Sequence, residues 1–325
     1  MKVLFASAAA LLLATGMFAQ GNGNGNGNGN GNDGDLAPTG KGIGTMYSPG
    51  QSGTMKGQGR IDQSGGAFSK VTTSISQNGI FYHGGPVIHG GTTVFLIWYG
   101  GNWTGNSATT LLPQFVGSLG GSPYFNINTT YQDTIGAVTN AVSFGGSYTF
   151  PNTKYGTALS DGNIQSIVAD TLASGAFPSP NLTNSVFFVL TSSEVNETSG
   201  FCTQYCGWHT YGTISGSSVR YAFVGNPDRC PTACEAQTVS PNGNAGADGM
   251  ASIIAHETEE ATTDPLLNAW YDRRGQENAD KCAWTFGTTK TLTSGAHYNV
   301  TLGGANYLIQ QNWVNASGGY CAMSK

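Results

Sequence analysis

The stretch "ADGMASIIAHETEEATTDP" (residues 247–265) decides the fold, because its residues follow the spacing of a helix packed against a core. Asp248 is predicted to cap the helix N-terminus, since its carboxylate can accept the free amides of the first turn. Pro265 cannot continue the hydrogen-bond ladder, so the helix is predicted to end at about Thr263. Three apolar side chains are expected to anchor it to the core: Met250, Ile253 and Ile254.

This helix contains the pattern His-Glu-x-x-Glu, which differs by one letter from the His-Glu-x-x-His of zinc peptidases. His256 and Glu260 lie four residues apart, on one face, and at this spacing an imidazole and a carboxylate can bind a single cation. Glu257 is rotated by about 100° and is predicted to act on a metal-bound water as the catalytic base. The alternative is a surface helix with acidic residues at positions 257, 259 and 260.

A third metal ligand must come from another segment or from the helix end. The downstream stretch "WYDRRGQENADKC" (residues 270–282) supplies several carboxylates. We favour Glu277 as the third ligand, then Asp280, then Asp264, which lies eight residues after His256 on the same face. The predicted metal ligands are therefore His256, Glu260, Glu277 and Asp280.

The second glutamate of the pattern changes the expected chemistry. One imidazole with two carboxylates places more negative charge around the cation, so a bound water is harder to deprotonate. We expect Zn²⁺, with Ca²⁺ or Mn²⁺ as competitors because the ligands are rich in oxygen. The sequence favours a metal-dependent hydrolase, and the alternative is a non-catalytic extracellular protein whose metal site is structural or degenerate.

The N-terminal residues predict export. One lysine and an apolar run shorter than the roughly 20 residues that span a bilayer are typical of a signal peptide, here residues 1–19. The Gly-Asn alternation that follows offers no apolar side chains to pack, so residues 20–71 are predicted to be a disordered linker, with a self-associating tract as the alternative. Residues 72–325 are enough for one domain. We expect a secreted protein with no membrane attachment after cleavage.

The order of elements in the folded part predicts an α+β domain around a mixed sheet. Apolar and β-branched runs predict four strands, at 92–100, 185–195, 218–227 and 306–314. Helical spacing predicts one helix around residues 111–119 and another at 161–175, before the helix that carries the motif.

Charge and composition limit the partners. Charged residues make up 10% of the chain, the formal net charge is −5, and no basic run is present. Nucleic acids and anionic membranes bind clustered lysine and arginine, so both are excluded as expected partners. A surface built from Ser, Thr, Asn, Gln and Gly favours a peptide or a cell-wall polymer as the partner of a monomer.

Six cysteines in an exported chain predict three disulfides. We expect the local pairs Cys202–Cys206 and Cys230–Cys234, with Cys282–Cys321 holding the C-terminus. The alternative is a four-cysteine zinc site formed by the two Cys-x-x-x-Cys units. His209, in "CGWHT" beside a predicted disulfide, is a second catalytic candidate that could bind substrate or stabilise an oxyanion, with a structural histidine as the alternative.

Several motifs follow one another in order along the chain: "FYHGGPVIHGGTTVFLIWYGGNW", "GFCTQYCGWHT", "YAFVGNPDRCPTAC", "ADGMASIIAHETEEATTDPLLNAWYD", "ENADKC" and "YLIQQNWV…GGYC". From about Phe81 to Cys321 they resemble the phosphate-induced protein 1, or EXORDIUM-like, family of secreted cell-wall proteins. The motif helix resembles that of zincin metallopeptidases, which implies a single zincin-like domain with an active-site-type helix. Glu277, Asp280 and Cys282 match the family's E-x-x-D-x-C. That family often has Asn where Asp264 stands, which weakens Asp264 as a ligand.

Overall fold

The computed structural model describes residues 37–41, 79–101, 103–151 and 153–325. The predicted signal peptide and the Gly-Asn run lie outside the described residues. Of the predicted linker, the structure describes only residues 37–41, and these contact the folded domain.

A five-stranded mixed sheet forms the centre of the domain. Its strands are β1 (Thr92–Tyr99), β2 (Val142–Thr149), β3 (Ser185–Thr191), β4 (Gly207–Ile214) and β5 (Ser217–Val224). Their spatial order is β2-β1-β3-β5-β4. The first four strands in this order are parallel, whereas β4 pairs antiparallel with β5 and forms one edge. Nearly every residue of β1 and β3 is buried, as expected for central parallel strands covered on both faces.

Helices cover the two faces of this sheet. They are α1 (Ala108–Gly117), α2 (Asp161–Ala173), the short α3 (Pro231–Cys234) and α4 (Ala245–Thr263). The crossover through α1 runs from β1 outward to β2, and the crossover through α2 runs back past β1 to β3. Right-handed crossovers in opposite directions place α1 and α2 on opposite faces. Because α4 packs against α1 and against β4, β5 and β3, it lies on the α1 face.

Short two-stranded pairs build the rest of the domain. They join Phe81–Tyr82 to Trp270–Tyr271, Ala158–Leu159 to Asn196–Glu197, Lys290–Thr291 to His297–Tyr298, Val300–Leu302 to Ala305–Tyr307, and Asn312–Val314 to Tyr320–Ala322. The predicted strand at 306–314 is therefore wrong as one element, because it is divided between two of these pairs. The α+β class, the strands near 92, 185 and 218 and the helices near 111 and 161 are confirmed.

The three disulfides join Cys202 to Cys230, Cys206 to Cys234, and Cys282 to Cys321. The C-terminal pair is confirmed, while the two predicted local pairs and the four-cysteine zinc site are wrong. Cys230 and Cys234 lie one helical turn apart around α3, so their β-carbons are farther apart than the about 3.5–4.5 Å that a disulfide needs. Each is bonded instead across to the loop before β4. Three disulfides are consistent with an extracellular protein.

Helix α4 begins earlier than predicted and is capped by a different residue. The side chain of Asn244 accepts the amide of Ala247, whereas Asp248 accepts hydrogen bonds from Ser240 and Asn242. The end at Thr263 is confirmed. Within the described ranges, no helix has the length and apolar character needed to cross a bilayer.

Candidate metal centre

The C-terminal half of α4 is polar and yet fully buried. The side chains of His256, Glu257 and Glu260 are each at most 1% exposed, and so is that of Glu259. Sheet strands β4 and β5 lie against one side of the helix, and loops from both ends of the domain surround the rest. The alternative of a surface helix is therefore wrong.

One group of side chains forms around His256. Its Nε2 lies 3.0 Å from Glu260 Oε1 and 3.5 Å from Asp280 Oδ1. Asp280 opens a 3₁₀ helix (Asp280–Cys282), and its backbone N–H donates a hydrogen bond of 3.0 Å to Glu260 Oε1. These three side chains could hold a metal ion.

A second group forms around His209, which β4 places opposite α4. His209 Nδ1 lies 3.3 Å from Glu257 Oε2 and 3.4 Å from Glu260 Oε2. These three side chains also could hold a metal ion, and Glu260 is shared by both groups through its two oxygens. The two candidate groups are thus adjacent.

Two other predicted carboxylates lie near the centre but in neither group. Glu277 Oε1 is 3.6 Å from His209 Nε2, so Glu277 flanks the histidine on the side away from Glu257. Asp264 ends α4 and accepts the backbone amides of Asn268 and Ala269 at 2.6 and 2.7 Å, which fixes the turn after the helix. The geometry thus places Asp280, and not Glu277 or Asp264, beside His256 and Glu260.

Many polar atoms at this centre are buried without a hydrogen-bond partner among the described residues. They include His209 Nε2, His256 Nε2, Glu257 Oε1, Glu260 Oε2, Glu277 Oε1 and Asp280 Oδ1. An unsatisfied buried polar group costs about 1–3 kcal/mol, and more when charged. Ligands bound tetrahedrally at about 2.0–2.1 Å from a zinc ion lie roughly 3.3 Å from one another. The histidine–carboxylate separations of 3.0–3.5 Å within the two groups match that value.

The pKa values of these side chains reflect the close packing of buried ionisable groups at the centre. Burial raises the pKa of Glu257 to about 7 and the pKa values of Glu259 and Glu277 well above their usual range. Burial also acts to raise the pKa of Glu260, but the charge of His256 and the close contact of both imidazoles outweigh it and hold that pKa at about 2.

Both histidines favour the charged form. Burial acts to lower the pKa of His209, but the charge of Glu277, the hydrogen bond to Glu257 and the close contact with Glu260 raise it well above its usual range. The pKa of His256 is raised in the same way, chiefly by the charge of Glu260. Two imidazoles are buried in and around the C-terminal half of α4 together with six carboxyl groups, namely Glu257, Glu259, Glu260, Asp264, Glu277 and Asp280. Protons or cations must balance the remaining charge.

Strand β4 brings His209 to the centre, and the sequence analysis did not predict this strand. Its first residue explains the close approach. A β-carbon on Gly207 would lie 2.5 Å from Ile253 Cγ2 and 3.3 Å from Glu257 Oε1. The glycine two residues before His209 was the available signal, because glycine inside a strand marks a site where another element packs closely.

Comparison with known proteins places the chain in a family. The family described as "Phosphate-induced protein 1 conserved region" matches residues 80–323. Protein EXORDIUM-like 3 of Arabidopsis thaliana is 33% identical over 78% of this chain and 85% of the relative. Protein EXORDIUM-like 5 is 29% identical over 71% and 74%, and Protein EXORDIUM 27% identical over 61% and 69%, both from the same plant. No solved structure matches the chain. The chain belongs to the phosphate-induced protein 1, or EXORDIUM-like, family.

Proposed function

We propose that this chain is a secreted, metal-dependent peptide hydrolase with a zincin-like domain, and that His256, Glu260 and Asp280 bind the cation. One observation supports this most strongly: unpartnered, buried nitrogen and oxygen atoms converge at the distances expected of metal ligands. Zn²⁺ is the ion we propose first, because an imidazole with carboxylates is an ordinary zinc ligand set. Secretion agrees with the three disulfides.

The residues around this group suit general base catalysis. A bound zinc ion would supply Lewis-acid polarisation of the scissile carbonyl and a water of lowered pKa. Glu257 Oε2 lies beside His209, while Glu257 Oε1 has no partner among the described residues and can accept a proton. Since burial raises the pKa of Glu257 to about 7, this carboxyl can take up and return a proton near neutral pH. His209 orients Glu257 and is itself supported by Glu277 at Nε2.

A second candidate function is a non-catalytic extracellular or wall-associated protein whose cation only stabilises the fold. Complete burial favours it, because the side chains of His256 and Glu260 are 0% exposed and that of Asp280 is 7% exposed. Structural metal sites are closed, whereas catalytic sites keep a position open for water. Glu257 separates the two functions, since only the hydrolase needs its proton transfer.

Metal content and turnover can be measured on one set of variants. After dialysis, mass spectrometry should find about one zinc per wild-type chain and a loss of the metal in His256→Ala and Asp280→Asn. Glu257→Gln should keep the metal while hydrolysis of fluorescein-labelled casein falls by about 10²-fold or more. Glu259→Gln is the matched control on the same helix and should change neither quantity.

Two results would count against parts of this proposal. Absence of metal from the wild-type protein would contradict both candidate functions. Metal without any difference in turnover between wild type and Glu257→Gln would favour the structural cation. Circular dichroism on each variant shows whether a lost metal reflects lost ligands or a lost fold.

A further inference from the structure

A lysine from the N-terminal segment lies in a partly exposed polar site beside β4, with its side chain 29% exposed and that of its partner Asp161 50% exposed. Lys41 Nζ donates hydrogen bonds of 2.8 Å to Asp161 Oδ2 and 2.6 Å to Ser199 Oγ. The same ammonium group lies 5.2 Å from the ring centre of Tyr205 and 5.8 Å from that of Trp208. A carboxylate, a hydroxyl and two aromatic faces form the set of groups that recognises a basic side chain. We call these four residues, Asp161, Ser199, Tyr205 and Trp208, the lysine pocket.

A buried carboxylate supports this pocket from beneath. Glu197 is 1% exposed; it accepts hydrogen bonds from the hydroxyl of Tyr205 and, at 3.0 Å, from the backbone amide of Ser199. Its other oxygen, Oε1, has no hydrogen-bond partner among the described residues. Burial raises the pKa of Glu197, whereas the hydrogen bonds from Lys41 and Ser199 overcome burial and lower the pKa of Asp161. The pocket is therefore anionic and preorganised.

The main chain before Lys41 contacts the edge strand β4 at His209, a residue of the candidate metal centre. The backbone N–H of His209 donates a 2.9 Å hydrogen bond to Gly40 O. Gly40 has φ +71, and a β-carbon there would lie 1.9 Å from His209 O, so only glycine fits. Pro38 and Gly40 are both buried. The contact is made at the one edge of the sheet where the N–H of β4 has no strand partner.

We propose that the lysine pocket binds a basic side chain of a peptide ligand, and that residues 37–41 are its built-in competitor. Thirty-seven residues, 42–78, separate Lys41 from Gly79, and a tethered segment of this length competes at an effective concentration on the order of 1 mM. A peptide with glycine before lysine would place its backbone over His209 and its side chain in the pocket. That such a ligand is also the substrate rests on the proposed hydrolase, whereas binding itself does not.

The test uses the full chain and a labelled peptide, Ala-Pro-Thr-Gly-Lys-amide, with the sequence of residues 37–41. In the double variant Gly40→Val/Lys41→Ala the built-in segment is displaced by the clash with His209 O and by loss of the ammonium group. We expect fluorescence anisotropy to show binding to this variant at least about tenfold tighter than to wild type. Adding Asp161→Asn should weaken that binding by about tenfold or more.

A matched control is available in a second lysine that bonds an aspartate of helix α2. Lys154 bonds Asp170 of α2 at 2.7 Å and lies 5.1 Å from the ring centre of Tyr155, but far along α2 from the pocket. Lys154→Ala should therefore bind the peptide as weakly as wild type. A labelled peptide with alanine in place of lysine should not bind the double variant.

Equal affinity of wild type and the folded double variant would overturn the proposal, and so would absence of binding to both. The zinc content of the same samples is measured separately. A protein that holds zinc but does not bind the peptide would refute the pocket alone. A protein that binds the peptide but holds no zinc would refute the metal centre alone.

Discussion

Glu259 is a buried carboxyl with no evident role at the metal centre. On α4 it lies between the proposed catalytic base and a proposed metal ligand, yet both of its oxygens lack a hydrogen-bond partner among the described residues. Its side chain is near Asn128 and within electrostatic range of Tyr124 and Tyr131. The residue therefore keeps its proton in the folded protein, since burial raises its pKa well above the usual range.

Glu259→Gln should stabilise the protein, and more so at high pH. In the folded protein the Glu259 carboxyl stays protonated, whereas in the unfolded protein it ionises above about pH 4.3. Glu259 therefore contributes stability below that pH, and this contribution is lost as the pH rises. Each pH unit above that value costs up to about 1.4 kcal/mol for as long as the proton is held. The melting temperature of the variant should exceed that of wild type by a larger margin at pH 8 than at pH 5. An equal margin at both values would show that Glu259 is ionised in the folded state.

At the scale of residues, the sequence predicted the contacts between side chains that depend only on their spacing along one helix. His256 and Glu260 meet because residues four apart share a helix face. The meeting of Asp280 with His256, and of His209 with Glu257, depends on the path of a loop and on strand order. Neither has a local signature, which is why the sequence analysis left Glu277, Asp280 and Asp264 as alternatives for the third ligand.

The contact between β4 and α4 sets the geometry of the centre at the scale of elements. Gly207 lets the strand approach the helix so closely that any side chain would overlap Ile253 Cγ2 and the carbonyl oxygen of Phe223. Since His209 follows two residues later on the same face of the strand, this contact also fixes the distance from His209 to Glu257.

Gly207→Ala should separate the strand from the helix. The added methyl group overpacks a tight contact, so we expect a loss of about 1–3 kcal/mol in the free energy of unfolding, measured by urea titration. Gly162→Ala is the control, because a β-carbon there meets only Ser160 Oγ at 3.8 Å on the exposed start of α2. That change should be neutral or stabilising by up to about 1 kcal/mol. Similar losses in both variants would contradict the close-packing account.

The elements that the sequence analysis missed have physical reasons in common. Strand β2 carries two glycines and alternates between half-buried and exposed residues, and β4 has the same glycine content. Both are edge strands, whose apolar pattern is weak because one side faces solvent. The central strands β1 and β3 were predicted because burial on both faces requires an unbroken apolar run.

At the scale of the whole molecule, the stability of the fold depends on the protonation of the buried carboxyls at the centre and on the binding of a metal ion there. The pKa values of Glu257 and Asp264 are both raised to about 7, chiefly by burial. A carboxyl whose folded pKa is raised contributes stability below its unfolded pKa, and that stability is lost as the pH rises through the folded value. The raised pKa values of His209 and His256 act in the same direction.

Protein from which a chelator has removed the metal should therefore lose stability between about pH 4 and pH 7, where these carboxyls ionise. A bound cation replaces the protons, so metal-loaded protein should melt at a higher temperature, and the difference should widen from pH 5 to pH 8. Differential scanning calorimetry with and without zinc measures both curves. A difference that narrows with rising pH would contradict a cation bound by these carboxyls.

The burial of these carboxyls also affects how the electrostatic field of the protein acts on its binding partners. Six acidic groups lie in the centre, and removing their −6 from the formal net charge of −5 leaves +1 for the rest of the chain. A net charge this small gives the rest of the chain little field beyond a Debye length of about 8 Å at physiological salt. Encounters with partners then proceed without electrostatic steering, at rates that depend little on ionic strength. The protein can therefore distinguish ligands by their charge only after contact, when a ligand has reached the lysine pocket.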